Sequence, residues 1–469
     1  MVTTGGKSRD GIPRVASSAA NCPALEGQHR GETMQLPLFD TFPEQPGDAI
    51  IEKMVRQSNL LEAYQRVKRN GGAPGIDGMT VAELGQCLDC LLSRAREQIV
   101  SGTYQPQPVK GVEIPKPGGG MRKLGIPTVL DRVVQQAMLQ VLTPIFDPQF
   151  SPWSFGFRPA RGTHQAVKQA QTHVRAGHRW VVDVDLEKFF DRVNHDVLMN
   201  LVARRITDKA ALLLIRRFLQ SGVLVGGLVS PTVEGTPQGG PLSPLLSNVM
   251  LDQMDKELER RGHRFCRYAD DCNIYVRSRR AGERLMVSMT RFLWKRLRLK
   301  VNTLKSAVDR PWRRQFLGYS FLLKKTAPLI VAPDREKRMK SKLKPLLRRG
   351  RGSSIAETLR QLAPKIRGWS AYYQLCEAKA AFERLDEWLR RRIRCLYWRH
   401  WKKTGTRRKE LKKRGLSASQ AWKSSVNGYG PWWNAGAAHM HLTITTSHLR
   451  TIGYVSLLEE YQRLKCSAG

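Results

Sequence analysis

Two adjacent carboxylates, Asp270 and Asp271, lie inside FCRYADDCNIYV (residues 265–276), between two runs of strand formers. Phe265, Cys266 and Tyr268 lead in and Ile274, Tyr275 and Val276 lead out, which predicts a hairpin with the acidic pair at its tip. The turn lacks the Asn-Gly or Asp-Gly that tight hairpins prefer, so turn chemistry alone does not account for the pair. Like charges side by side repel unless a cation sits between them. RWVVDVDLEKFFDRVNHD (179–196) supplies a partner. Its period-2 alternation predicts a strand that puts Asp183 and Asp185 on one face, with Asp185 at the strand end and a helix beginning near Leu186. Carboxylates at a strand end and at a hairpin tip can hold two Mg²⁺ ions about 3.5–4 Å apart, which clamp the attacking and leaving oxygens of a phosphoryl transfer. Mg²⁺ suits that role because it uses few carboxylates and leaves sites for phosphates. Taken one motif at a time, a helix-capping Asp185 and a solvated Asp270–Asp271 turn are the preferred accounts of these residues.

Composition says what such a centre would serve. The chain has 469 residues, 79 Lys and Arg against 40 Asp and Glu, and a formal charge of +39. At 41% hydrophobic it can bury a large core, so it is a folded basic protein, with a length suited to about three or four structural units. Such an excess of positive charge points to a polyanion, nucleic acid ahead of a membrane surface. Between Arg335 and Gly415 there are 27 Lys and Arg against 7 Asp and Glu, about half the net charge. No apolar run reaches the ~18 residues of a membrane span, and the N-terminus lacks the apolar core of a secretory signal. Eight Cys in a chain this long make no disulfide framework and suggest a reducing cytoplasm. Cys87 and Cys90 form a CxxC without a second pair, and their spacing predicts two core-facing thiols on a helix.

Other elements must position the carboxylates. Residues 1–47, without periodicity, are expected to be a mobile tail, and a helix is predicted from Asp48 to the glycines at 71 and 72. PVKGVEIPKPGGGMRKLGIP (108–127) predicts two strands around PKPGGG, and the run after Asp131 a helix. After Arg335 the pattern is helical and basic; from Leu416 it reads as irregular and aromatic. Phe382, Leu385, Leu389, Ile393 and Leu396 recur at helical spacing, with Arg390, Arg391, Arg392 and Arg394 elsewhere around the helix. That predicts one packed face and one phosphate-seeking face, a membrane-surface helix being the alternative.

Several motifs carry a resemblance. YADD (268–271) resembles the signature of reverse transcriptases, DLEKFFD (185–191) their first carboxylate motif, and GTPQGGPLSPLLSN (235–248) their nucleotide-pocket loop. NGGAPGIDGMT (70–80), RKLGIPTVLDRVVQQA (122–137) and SFGFRPARGTH (154–164) resemble bacterial group II intron-encoded reverse transcriptase/maturases in particular. Ordered matches run from about residue 50 onward and include FLGYSF (316–321) and RGWSAYY (367–373). The resemblance implies an α+β right-hand polymerase: fingers, an antiparallel palm sheet with helices on one face, and a helical thumb. The implied divisions are an N-terminal extension at 48–105, fingers and palm at 106–330, thumb or maturase domain at 331–403, and a basic DNA-binding segment at 404–469.

Residue by residue, the resemblance makes Asp185, Asp270 and Asp271, with the backbone carbonyl of Leu186, the site for two Mg²⁺ ions, Mn²⁺ being an acceptable substitute. Asp183 is not part of it, because the family's aromatic lies five positions after its catalytic Asp and Phe190 fits only from Asp185. Phe190 is implied as the gate against a ribose 2′-OH, with Phe189 competing. Lys116 and Arg122 would hold the triphosphate, although Lys123 stands where the family has Pro. Gln238 would line the incoming dNTP, and Pro237, Gly239 and Gly240 would let the backbone approach it. Lys305 would protonate pyrophosphate, a solvated lysine being the alternative. Arg390, Arg391, Arg392, Arg394, Lys402, Lys403, Trp432 and Trp433 are the expected nucleic-acid contacts, with bases stacking on the aromatics.

Many relatives end in a metal-binding nuclease with paired CxxC motifs. After Trp433 this sequence has only Cys466, with His439, His441 and His448 in no comparable arrangement, so that nuclease is expected to be lacking. His439 and His441 would share a face if strand-like, a weak two-ligand site. The implied function is an RNA-directed DNA polymerase that binds its group II intron RNA, promotes splicing and copies the inserted intron. Its partners would be intron RNA, target DNA and dNTPs, in the bacterial cytoplasm, with no membrane and with protein dimerisation open. A splicing cofactor with an unused polymerase scaffold, and a reverse transcriptase domesticated for defence or repair, are the alternatives.

Overall fold

The computed structural model describes residues 49–115, 119–225, 228–230, 234–236, 239–348 and 352–467. The expected tail at 1–47 lies outside them.

A four-stranded antiparallel sheet occupies the centre. Its strands are β3 (Trp180–Val184), β6 (Arg264–Tyr268), β7 (Asp271–Val276) and β8 (Ala307–Asp309), in the order β6-β7-β3-β8. Register places Asp183 opposite Asn273, Val184 opposite Cys272 and Tyr268 opposite Asp271, so the acidic residues of both motifs gather at one end. Helices were expected on one face only, but both faces are covered. Val182, Val184, Phe265, Ile274 and Val276 pack into one core with helices Ser243–Arg260 and Arg279–Phe292; Val181, Cys266 and Tyr275 pack into another with helix Thr163–Arg175. The reason lies in β7, where every residue from Cys272 to Val276 is buried, the pattern of a strand with two apolar sides.

A second sheet takes β1 (Val109–Pro115), β2 (Met121–Ile126), β4 (Val223–Val225) and β5 (Leu228–Ser230) in the order β2-β1-β4-β5. Here β1 and β2 form the expected antiparallel hairpin. The helix predicted from Asp48 is two helices, Ile50–Val55 and Gln57–Asn70, broken at Arg56, whose ψ of 135° is extended. The Ile51 amide donates to Asp208 Oδ2 at 3.0 Å, which ties the first helix to a distant part of the chain. Cys87 and Cys90 are exposed, not core-facing. Cys87 separates helices Val81–Gln86 and Leu88–Val100, and Leu84, Leu92, Ala95 and Ile99 take the core positions.

A short pair, β9 (Tyr319–Phe321) and β10 (Leu329–Val331), leads into helices Pro333–Leu343, Ile355–Tyr372, Ala380–His400 and Thr404–Lys413. The segment expected to be irregular from Leu416 forms five short helices, Ala418–Val426, Pro431–Asn434, Ala438–Thr443, Thr446–Thr451 and Leu457–Cys466. Ser417, Thr445 and Ser456 cap three of them by accepting from backbone amides. The core passes residue 403 without interruption, since Leu385, Leu389 and Ile393 share it with Leu411, Met440, Leu449 and Leu457. Buried Asp386 fastens the two parts: its carboxylate accepts from the Tyr454 and Ser456 hydroxyls at 2.7 and 2.6 Å and from the Leu457 and Leu458 amides at 2.8 and 2.9 Å.

Candidate functional site

The acidic hairpin is tighter than its sequence suggested. Because Tyr268 pairs with Asp271, the loop is only Ala269 and Asp270, and Ala269 takes a left-handed φ of 57°. Asp270 is exposed at the tip, while Asp271 is the first residue of β7 and half-buried. An alanine there is strained by about 1–2 kcal/mol, so the fold must hold it. Arg267 does so from beneath, fully buried: Nη1 donates to the Ala269 carbonyl at 3.0 Å and to Asn248 Oδ1 at 2.9 Å, and Nη2 pairs with Asp255 Oδ2 at 2.6 Å. SFGFRPARGTH braces the turn from the side. The Phe155 amide donates to the Arg267 carbonyl at 2.9 Å, and a Cβ on Gly156 would lie 2.3 Å from the Ala269 nitrogen. Only glycine fits there.

Asp185 follows β3 directly, but no helix begins at Leu186. Leu186 bridges Val301, with the Asn302 amide donating to the Asp185 carbonyl and the Glu187 amide to the Lys300 carbonyl, both at 2.8 Å. These bonds flank Leu186, whose own carbonyl takes no part in the bridge. The chain then turns through Lys188 (φ 49°) and a 3₁₀ turn, Phe189–Asp191, and the helix waits for the Asn194 cap at His195.

Asp183, Asp185, Asp270 and Asp271 all line one cavity of about 960 Å³, with Lys305, Arg314, Arg335, Tyr372 and Tyr373. Lys305 Nζ stands 3.8 Å from Asp185 Oδ1. Arg314 donates through Nε to Asp183 Oδ2 at 2.9 Å and through Nη2 to the Lys305 carbonyl at 2.7 Å. Burial, then the negative charges of Asp183, Asp270 and Asp185, push the Asp271 carboxyl up to about 8 against the pull of Arg314. The cluster therefore wants positive charge. Among the described residues no group of three His, Cys, Asp or Glu side chains forms a ready-made metal cage. Mg²⁺ needs none: it is held by one or two carboxylates and keeps its remaining positions for water and phosphate. The all-oxygen, charge-deficient donor set fits such an ion.

Asp270 also lines a second cavity of about 590 Å³, with Arg122, Arg132, Phe157, Phe190, Gly239 and Gly240 among its walls. Of the two candidate aromatics, Phe189 is buried in the core and Phe190 faces this cavity. The Thr236 amide donates to the Phe190 carbonyl at 2.7 Å, stitching the glycine loop to the Phe190 turn. Gly239, at φ 138°, presses on β2: a Cβ there would lie 2.5 Å from the Gly125 carbonyl oxygen. Arg132 holds the NGGAPG loop, donating to the Gly71 and Ala73 carbonyls at 3.1 and 2.8 Å. Lys116, Pro237 and Gln238 lie outside the described residues.

Comparison with known proteins supplies the family. Residues 114–321 match the family described as "Reverse transcriptase (RNA-dependent DNA polymerase)", and residues 336–415 match "Group II intron, maturase-specific domain". Together, the two matches fit a group II intron reverse transcriptase/maturase. It is 40% identical over 208 residues to "Protein YkfC" of Escherichia coli (strain K12), covering 43% of this chain and 55% of that one. It is 38% identical over 211 residues to "Group II intron-encoded protein LtrA" of Lactococcus lactis subsp. cremoris, covering 43% and 34%. The "Putative COX1/OXI3 intron 1 protein" of Saccharomyces cerevisiae is 31% identical over 224 residues, covering 46% and 26%. The matches thus span about half or less of these relatives' lengths.

The maturase domain departs from expectation in its arginines. On helix Ala380–His400, three of the four arginines expected to seek phosphate are engaged by the protein itself. Arg394 is buried, donating to the Ile444 carbonyl at 3.0 Å. Arg391 donates to the Trp432 carbonyl at 3.1 Å, and Arg391 and Arg392 stack on the Trp432 ring at 4.3 and 4.7 Å. These guanidiniums cement the C-terminal helices, because their flat faces cover indole as well as they grip phosphate. Exposed charge lies further on, at Lys402, Lys403, Arg408, Lys409, Lys412 and Lys413. Trp422, Tyr429, Trp432 and Trp433 remain 39–58% exposed. His439 and His441 sit on helix Ala438–Thr443, not a strand, and His439 packs on Trp398. No described helix is long and apolar enough to cross a membrane.

Proposed function

We propose that this protein is an RNA-directed DNA polymerase that binds its group II intron RNA, promotes splicing and copies the inserted intron. One observation carries the reading: carboxylates from two separate motifs line one cavity, and Asp270 joins it to a second cavity with Phe190 and Arg122 on its wall. Asp185, Asp270, Asp271 and the Leu186 carbonyl would hold two Mg²⁺ ions, which when bound would activate the primer 3′-OH and neutralise charge on the leaving group. Arg122 and Lys116 would grip the triphosphate, while Gln238 and the glycine loop would border the nucleotide. Lys305 would deliver a proton to the departing pyrophosphate. A scaffold that only bound RNA needs none of this acidic cluster. Cytoplasmic location with intron RNA and target DNA follows from the same reading. Extension of oligo(dT) on poly(rA) with dTTP and Mg²⁺ tests it; no extension by the folded protein would count against it.

Phe190 would exclude a ribose 2′-OH. Phe190→Val should shift the ratio of ribonucleotide to deoxyribonucleotide incorporation upward by roughly tenfold or more, the scale of steric discrimination in a pocket. A competition assay reads the ratio directly, and an unchanged value with activity retained would place the gate elsewhere.

RNA contact belongs to the exposed cations rather than to the packed arginines. Replacing Lys402, Lys403, Lys409 and Lys412 by Gln should flatten the slope of log affinity against log salt by about 3, at ~0.7 per phosphate lost. Arg394→Gln should instead lower the melting temperature. The reverse pattern would return the buried face to phosphate.

A further inference from the structure

The geometry points to Phe157 as a nucleobase-stacking residue of the polymerase site, an inference that rests on the proposed function. Phe157 has a left-handed φ of 58°, which a side chain this bulky rarely adopts, and it is 50% exposed. Both neighbours are fixed. The Gly156 carbonyl accepts from Asn248 Nδ2 at 2.9 Å, with Gly156 itself pressed against the Ala269 amide. Arg158 is buried and donates to Asp147 Oδ1 at 2.7 Å and to the Ser151 and Ser154 carbonyls at 2.6 and 3.1 Å. Held at both ends, the chain turns the Phe157 ring outward.

That ring does little for folding. Phe155, two residues earlier, is the aromatic of this segment that enters the core. Phe157 instead lines the cavity shared by Arg122, Phe190, Gly239 and Asp270, with Tyr268 of the acidic hairpin 6.5 Å away, centroid to centroid. A strained backbone that presents an apolar ring to solvent persists where the ring has a ligand to meet. In a cavity walled by a cation suited to triphosphate, an aromatic beside the sugar position and a carboxylate, that ligand is a flat base. Stacking tolerates any sequence, as a copying enzyme requires. The base belongs either to the incoming nucleotide or to the template strand opposite it.

Phe157→Gly separates this role from a structural one, because glycine relieves the left-handed strain while removing the ring. The variant should melt at or above the wild-type temperature. Its KM for dNTP or its Kd for primer–template should rise between about fivefold and a hundredfold, the worth of one base–aromatic stack. A rise in KM alone assigns the incoming base, and a rise in Kd assigns the template base. Phe157→Trp should retain most of the wild-type value in whichever quantity changes. If Phe157→Gly is stable with KM and Kd both unchanged while the wild type polymerises, the stacking role is wrong. If it melts lower and Phe157→Trp does not restore KM or Kd, the ring is structural. If the wild type itself does not polymerise, the underlying functional reading fails instead.

Discussion

Asp270→Asn should abolish nearly all polymerisation, by roughly a thousandfold or more, and leave the fold in place. The asymmetry follows from where Asp270 sits. Its side chain is exposed at the hairpin tip, and the turn is held by Arg267 through the Ala269 carbonyl, not through Asp270. Asn keeps the volume and the turn propensity but removes the charge. Losing one preorganised electrostatic contact to a transition state costs about 10²–10³ in rate, and here the contact would also help hold the ions. Melting temperature and single-nucleotide incorporation, measured on the same preparation, separate the two effects. A folded Asp270→Asn protein extending primers at the wild-type rate would remove Asp270 from the chemistry.

Asp255→Ala should destabilise the protein by about 3–5 kcal/mol, since it leaves Arg267 charged and unpaired where both side chains are fully buried. Replacing both residues with Leu should recover much of that loss, because a buried ion pair is often no more stable than apolar side chains of similar volume. Activity should not return with stability, since the Ala269 carbonyl would still lack its Arg267 donor and the Asp270 turn its support. Denaturant midpoints and extension rates for the single and double variants provide the test. A double variant both stable and active would show that the Asp255–Arg267 pair serves the core alone.

How much of this was legible depended on how far each signal reached along the chain. Period-2 alternation around Asp183 and Asp185 and strand formers flanking Asp270 are local, and they predicted β3 and the hairpin. The choice between Phe189 and Phe190 needed three dimensions, because adjacent aromatics differ only in which one the core claims. Arg314, Asp255 and Gly156 act on the site through bonds to Asp183, Arg267 and Asn248 that span 131, 12 and 92 positions, so no local pattern marks them. The packing of the basic helix was illegible for a different reason. Counting arginines assumes that charge seeks solvent or phosphate, whereas Arg391 and Arg392 lie on Trp432, some forty residues away. The C-terminal helices do carry a local signal: Ser417 with Gln420, and Ser456 with Glu459, have cap spacing.

We propose that this chain copies RNA into DNA at the cavity lined by Asp185, Asp270 and Asp271. The most direct test is extension of a DNA primer annealed to a mixed-sequence RNA, with all four dNTPs and Mg²⁺, by the wild-type protein and by Asp185→Asn. The wild type should yield full-length DNA complementary to the RNA, and the folded variant none. Wild-type protein that binds the primer–template without extending it, or equal products from both proteins, would contradict it.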